Sequence, residues 1–193
     1  MTETKPTAPP GSSTHGPLRR RWPALAGVGF AALVAFDLAS GVDLAPVLAA
    51  SAVVYIGAAA LRKPAAAWPM FFATVVVITL AKLIDVRVDA TWILLGGGVA
   101  LAIFGLLSGA IRPTYGLPLQ SIALLGFGAA AVVAMLINAD LGGYLVAAGL
   151  LGHAAWDAHH HRTNRVVARS MAEFCLVLDT ALALVIVLVT ALG

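Results

Sequence analysis

Thr91-Trp-Ile-Leu-Leu-Gly-Gly-Gly-Val-Ala-Leu-Ala-Ile-Phe-Gly-Leu-Leu-Ser-Gly-Ala-Ile111 is a stretch of 21 residues without a charge. Coiled as a helix rising ~1.5 Å per residue, it reaches about 31 Å, the thickness of the hydrocarbon core of a bilayer. In that medium a helix satisfies its own backbone hydrogen bonds, so the stretch reads as a membrane crossing. Six apolar runs flank it, at residues 22–40, 44–61, 67–83, 119–138, 142–159 and 171–192. The 193-residue chain is 61% hydrophobic and 11% charged, with a mean hydropathy of +0.95. Such a composition excludes a water-soluble domain and a disordered polymer, and the seven runs leave no room for a separate soluble catalytic domain. The expected fold is an all-α integral membrane bundle of about seven transmembrane helices. Residues 1–21, rich in Pro, Thr, Ser and Gly, form a basic-ended disordered tail, and residues 22–193 form the transmembrane domain.

Orientation follows from the positive charges, because Lys and Arg beside short loops resist translocation. Arg19, Arg20 and Arg21, then Arg62 and Lys63, Arg112, and finally Arg162, Arg165 and Arg169 fall in alternate breaks between the runs. The other breaks hold Asp43, Asp85, Asp89 and Asp140 with Arg87 alone among them. One topology satisfies all of them: N-terminus cytoplasmic, C-terminus outside, as in a multi-pass protein of a bacterial inner membrane. The excess of 12 Lys and Arg over 9 Asp and Glu is thereby accounted for, and no nucleic-acid partner is expected. The breaks are short, so consecutive helices are expected to be antiparallel neighbours. Gly96, Gly97, Gly98, Gly105, Gly109, Gly126 and Gly128 are expected to let helices approach closely. The lone Cys175 excludes an internal disulfide and disfavours a Cys-only metal site. No internal repeat of the kind found in inverted-repeat transporters is evident.

Most runs are chemically bland, but Gly152-His-Ala-Ala-Trp-Asp-Ala-His-His-His161 sets four histidines and an aspartate within nine residues. At 3.6 residues per turn, His153, Asp157 and His160 share one helical stripe, with His161 at its edge and His159 pointing elsewhere. A histidine and a carboxylate four apart on a helix can converge on one metal ion. The last run enters from the same side and carries Cys175 and Asp179, again four apart. Counted inward at ~1.5 Å per residue, His153 and Asp179 both lie about 12–14 Å deep, and Asp157 and Cys175 about 6–8 Å deep. An ionisable group at such depth costs ~2.5–3.5 kcal/mol unless it is paired, metal-bound or wet.

The expected site is therefore one pocket of His153, Asp157, His160, Cys175 and Asp179. All five are candidate ligands of a divalent transition metal, Zn or Fe, with Asp157 and Asp179 also the candidate acid/base groups. Arg162, Arg165 and Arg169 are candidate contacts to lipid headgroup phosphates. Each feature has a plainer reading beside it. The three terminal histidines and the arginines can be a solvated basic helix end, and His153 with its carboxylates can be interhelical hydrogen bonding. Three functions fit: a membrane-embedded metal-dependent enzyme acting on a lipid or other apolar substrate, a metal-binding or transport protein, or a structural or partner-binding membrane subunit. Membrane lipids are the expected partners.

The order His153-x2-Trp156-Asp157-x2-His160-His161, followed by Cys175-x3-Asp179, resembles a signature of small multi-pass bacterial membrane proteins of uncharacterised function. The resemblance covers about the last forty residues and implies only that these residues act together. Two better-known seven-helix groups fit less well. A microbial rhodopsin needs a lysine in its last helix for the retinal Schiff base, and residues 171–193 contain none. The intramembrane ceramidase-like zinc hydrolases carry a His-x3-His in the last helix, where this chain has no histidine. That group is similar in helix count and in placing His and Asp near one membrane face, and it serves as an analogy.

Overall fold

A computed structural model describes residues 21–36, 38–84 and 88–192. Among them are seven α-helices and no strand: α1 (Trp22–Ala35), α2 (Ala45–Ala60), α3 (Ala67–Leu83), α4 (Ala90–Leu107), α5 (Leu117–Leu136), α6 (Ala139–Thr163) and α7 (Arg169–Leu192). Short 3₁₀ turns, Gly41–Leu44 and Pro64–Ala66, lead into α2 and α3. Except for Arg21, the expected disordered tail lies outside the described residues.

Local chemistry explains where the helices begin and end. Prolines stand in the first turns of α1, α2 and α5, where the missing N–H would have had no helical partner. Asp89 Oδ1 accepts from Thr91 N at 2.7 Å and Asn138 Oδ1 accepts from Leu141 N at 2.9 Å, capping α4 and α6. At the far end of α6, Asn164 takes the left-handed conformation that closes many helices.

Five segments are long and apolar enough to cross a membrane: Gly41–Ala60, Pro64–Leu83, Ala90–Leu107, Leu117–Leu136 and Arg169–Leu192. The other two helices depart from the expectation for different reasons. At 25 residues α6 has the length, but its His and Asp residues lower its hydropathy. In α1 there are only 14 residues, about 21 Å of rise, instead of the run expected to Ser40. The next turn, Gly41–Leu44, starts from a capping box of Ser40 and Asp43. Gly41 then packs on Gly143 of α6, where a Cβ would come within 2.9 Å of the Gly143 Cα.

The centre of the bundle is α2, in which every residue but Val47 is buried. Its sequence of Ala, Val, Gly and Ser is apolar all round, as a surrounded helix must be, and α3, α4 and α5 pack against it. The expectation that every consecutive pair are neighbours fails at α1. This helix lies along α7, and the most extensive pairing of all is α6 with α7. The cause is a cluster of rings, Phe30, Trp68, Phe71 and Phe174, whose centroids lie 4.9–6.1 Å apart and which ties α1 to α3 and α7.

The ends of the bundle differ in charge. Arg21 pairs with Glu173 at 3.8 Å, Arg62 Nη2 donates to the Ser108 carbonyl, and Arg165 lies over the Tyr115 ring. These contacts bring Arg21, Arg62, Arg165 and their basic neighbours to one end. Gly41, Gly143 and Thr190 meet at the opposite end, which also carries Asp43.

Candidate metal centre

Three helices build the centre. Helical spacing sets His153 and Asp157 on the same face of α6, which turns toward α7, and Asp179 meets them from that helix. The Nδ1 atom of His153 lies 2.8 Å from Asp179 Oδ2 and 3.1 Å from Asp157 Oδ2. From α2, the Tyr55 hydroxyl donates to Asp157 Oδ1 at 2.6 Å. The imidazole is held edge-on to two rings, Tyr55 and Phe127 of α5, each 5.2 Å away between centroids. His153, Asp157 and Asp179 are at most 1% exposed.

This arrangement leaves an imbalance. A ring nitrogen carries at most one hydrogen, yet two carboxylate oxygens converge on His153 Nδ1. Asp157 Oδ2, Asp179 Oδ1 and His153 Nε2 are buried without a hydrogen-bond partner, and unsatisfied groups of this kind are rare in folded proteins. The three side chains offer one ligand atom each, all within 4.8 Å of one another. Donors around a tetrahedral zinc with bonds of ~2.0–2.1 Å sit about 3.3 Å apart. The observed 2.8 and 3.1 Å separations would therefore open by only a few tenths of an ångström to admit an ion. Imidazole with two carboxylates suits zinc, iron or manganese.

The other expected residues lie elsewhere. His160, one turn along α6, donates from Nδ1 to the Trp156 carbonyl at 2.9 Å, which leaves Nε2 as acceptor facing Gln120 Nε2 at 3.5 Å. Gln120 of α5 also donates to the Tyr115 carbonyl and accepts from Trp156 Nε1. His160 thus belongs to a second polar group, separated from the first by the Tyr55 ring, whose centroid is 5.0 Å from its own. Cys175 is buried, with its thiol 3.5 Å from Met171 Sδ. Arg165 stacks on Tyr115, 4.6 Å from the ring centroid, whereas Arg169 lines a groove with Arg21, His161 and Glu173 on the α1 side. These two arginines face different flanks of the bundle. Arg162 belongs to the last turn of α6.

No family model, curated protein or solved structure matches this chain.

Two participants, Tyr55 and Gln120, were not among the expected residues. Tyr55 is the sole aromatic residue of α2, and a lone ring with a hydroxyl in a small-residue helix is the signal that points to it. Gln120 is a buried amide one turn inside α5, legible as a polar group set too deep for a helix end.

Proposed function

We propose that this chain is a multi-pass membrane protein that holds one divalent transition-metal ion, zinc or iron, through His153, Asp157 and Asp179. The basic end faces the cytoplasm, the membrane is of the bacterial inner-membrane kind, and the termini lie on opposite sides. The observation that carries the metal reading is the sharing of His153 Nδ1 by two buried carboxylates. One hydrogen cannot neutralise both, and an unpaired carboxylate in a dry interior is costly. A dication replacing the hydrogen would engage His153 Nδ1 and the two carboxylate oxygens that face it together. When bound, the metal supplies positive charge and Lewis acidity. The chain supplies the geometry: Tyr55 holds one oxygen of Asp157 and leaves the other for the site, and the flanking rings hold the imidazole plane.

Full burial of the three ligands favours a holding or transfer role for the metal over open catalysis, since catalytic sites keep a coordination position free. An enzyme acting on a lipid or other apolar substrate is the second reading, with Asp157 or Asp179 as acid/base. It is favoured by a small apolar cavity lined by Val54, Cys175 and Leu178, chain neighbours of Tyr55 and Asp179. Metal analysis of the purified protein tests the first reading. The expected result is one ion per chain in the wild type and none in His153→Ala. An ion-free wild type leaves interhelical hydrogen bonding as the role of the cluster. Turnover of lipid by the metal-loaded protein, absent in Asp179→Asn, would select the enzyme.

A further inference from the structure

Val47 is the one α2 residue that is not buried, and it is the floor of a cleft between α1 and α3. Three adjoining cavities of about 260, 360 and 40 Å³ make up this cleft. Val34 of α1 and Ile78 of α3 line all three. Phe71, Thr74, Cys175 and Leu178 close the inner end. At the outer end the lining changes character, to Asp43, Lys82 and Asp89. The rim is open to the surroundings, with Leu33 70% and Leu83 75% exposed.

In a chain that spans a membrane this shape has a natural filler. Water gains nothing in the apolar part, so hydrocarbon would be the more favourable filler. From Phe71 to Lys82 the rise along α3 is about 16 Å, about the reach of a myristoyl-length chain. The mouth then decides which lipid. Asp43 and Asp89 are each fixed by a backbone N–H, from Ser40 at 3.0 Å and Thr91 at 2.7 Å, so both carboxylates are in place before anything binds. Among the described residues, an anionic headgroup would set its phosphate against two carboxylates with one lysine to offset them. A headgroup with both a phosphate and an N–H-bearing cation matches all three side chains.

We propose that the α1–α3 cleft binds one phospholipid of the phosphatidylethanolamine class. One acyl chain lies along Val34, Val47 and Ile78, the phosphate meets Lys82, and the primary ammonium sits between Asp43 and Asp89. Choline lipids fill the same apolar space but carry no N–H to donate to the carboxylates. This inference does not rest on the metal reading, although the inner end of the cleft is the cavity that the enzyme reading gives to an apolar substrate.

The experiment is native mass spectrometry of the full chain, delipidated in detergent and offered equimolar phosphatidylethanolamine, phosphatidylcholine and phosphatidylglycerol with identical acyl chains. The wild type is expected to retain one phosphatidylethanolamine per chain, at least about threefold above either competitor, the size of one ion pair at a partly wet site. Asp43→Asn and Asp89→Asn keep an oxygen for the capping bonds and are each expected to lower that preference about threefold. Val34→Trp, which fills the cleft, is expected to abolish retention. Equal retention of the three lipids by the wild type would overturn the proposal. So would a Val34→Trp variant that elutes as a single species and binds as before. Should that variant not fold, the wild-type competition decides alone.

Discussion

Asp157 has one side-chain hydrogen bond, from Tyr55 to Oδ1, while Oδ2 lies 3.1 Å from His153 Nδ1 without a hydrogen bond of its own, and this division makes the tyrosine testable apart from the metal. Tyr55→Phe removes one donor and leaves a buried carboxylate oxygen unsatisfied, at a cost of about 1–3 kcal/mol. The expected outcome is a lower thermal midpoint in detergent with metal retained, because Phe keeps the ring against His153. Metal loss would instead mean that the Tyr55 hydroxyl is required, beyond orienting Asp157, for the site to hold its ion. Cys175 gives the complementary prediction. Its thiol points to Met171 and stands outside the His153–Asp157–Asp179 group, so Cys175→Ser is expected to keep full metal content. A loss there, read by the same metal analysis, would put sulfur back among the ligands. Sequence spacing was enough to align His153 with Asp157, and depth counting brought Asp179 level with His153. Spacing could not set His160 apart from His153, since a shared stripe does not say which ring of a neighbouring helix stands between two side chains. Here that ring is Tyr55, contributed by a helix distant in sequence.

Glycine content has a different meaning helix by helix. A Cβ on Gly27 would stand 2.7 Å from the Phe174 carbonyl oxygen, a backbone atom that cannot swing aside. Gly27→Ala therefore has to push α1 off α7 and is expected to cost about 1–3 kcal/mol in unfolding free energy. In the run Gly96-Gly97-Gly98 only Gly98 is crowded, with Leu124 Cδ1 2.9 Å from the built Cβ, and nothing lies within 4 Å at Gly96 or Gly97. Gly96→Ala and Gly97→Ala are thus expected to be neutral or to stabilise by up to ~1 kcal/mol through helix propensity. Detergent unfolding curves for the three variants check the contrast, and equal effects would remove the packing explanation. All the glycines in that run look alike in sequence because helical phase relative to a neighbour is a tertiary property. Apolar length, by comparison, was legible directly, and five segments have the length and hydropathy to cross. The early end of α1 was hidden because Phe36, Leu38 and Ala39 prolong the apolar run, whereas the close contact of Gly41 with Gly143 of α6 is tertiary.

For the whole molecule, the segregation of charge is the basis of the proposed orientation. The end with Arg21, Arg62, Lys63, Arg112, Arg162, Arg165 and Arg169 resists translocation, whereas the other end offers Asp43, Asp89, Asp140 and the single cation Lys82 among the described residues. An odd number of crossings sends the two termini to opposite sides, and α1 is the critical helix because its 14 residues are fewer than the ~20 of a standard span. Its lengthwise packing on α7 supports the proposal that it crosses with the rest, since a helix lying flat on the surface could not run along a spanning one. Labelling decides the matter. In a Cys175→Ser background, single cysteines at Arg112 and Asp140 are expected to react with an impermeant maleimide from opposite faces, Asp140→Cys in intact cells and Arg112→Cys only after lysis. A cysteine at Thr2 is expected to behave like Arg112→Cys. If it reacts in intact cells while Arg112→Cys stays protected, α1 does not cross, and the seven-span topology gives way to six.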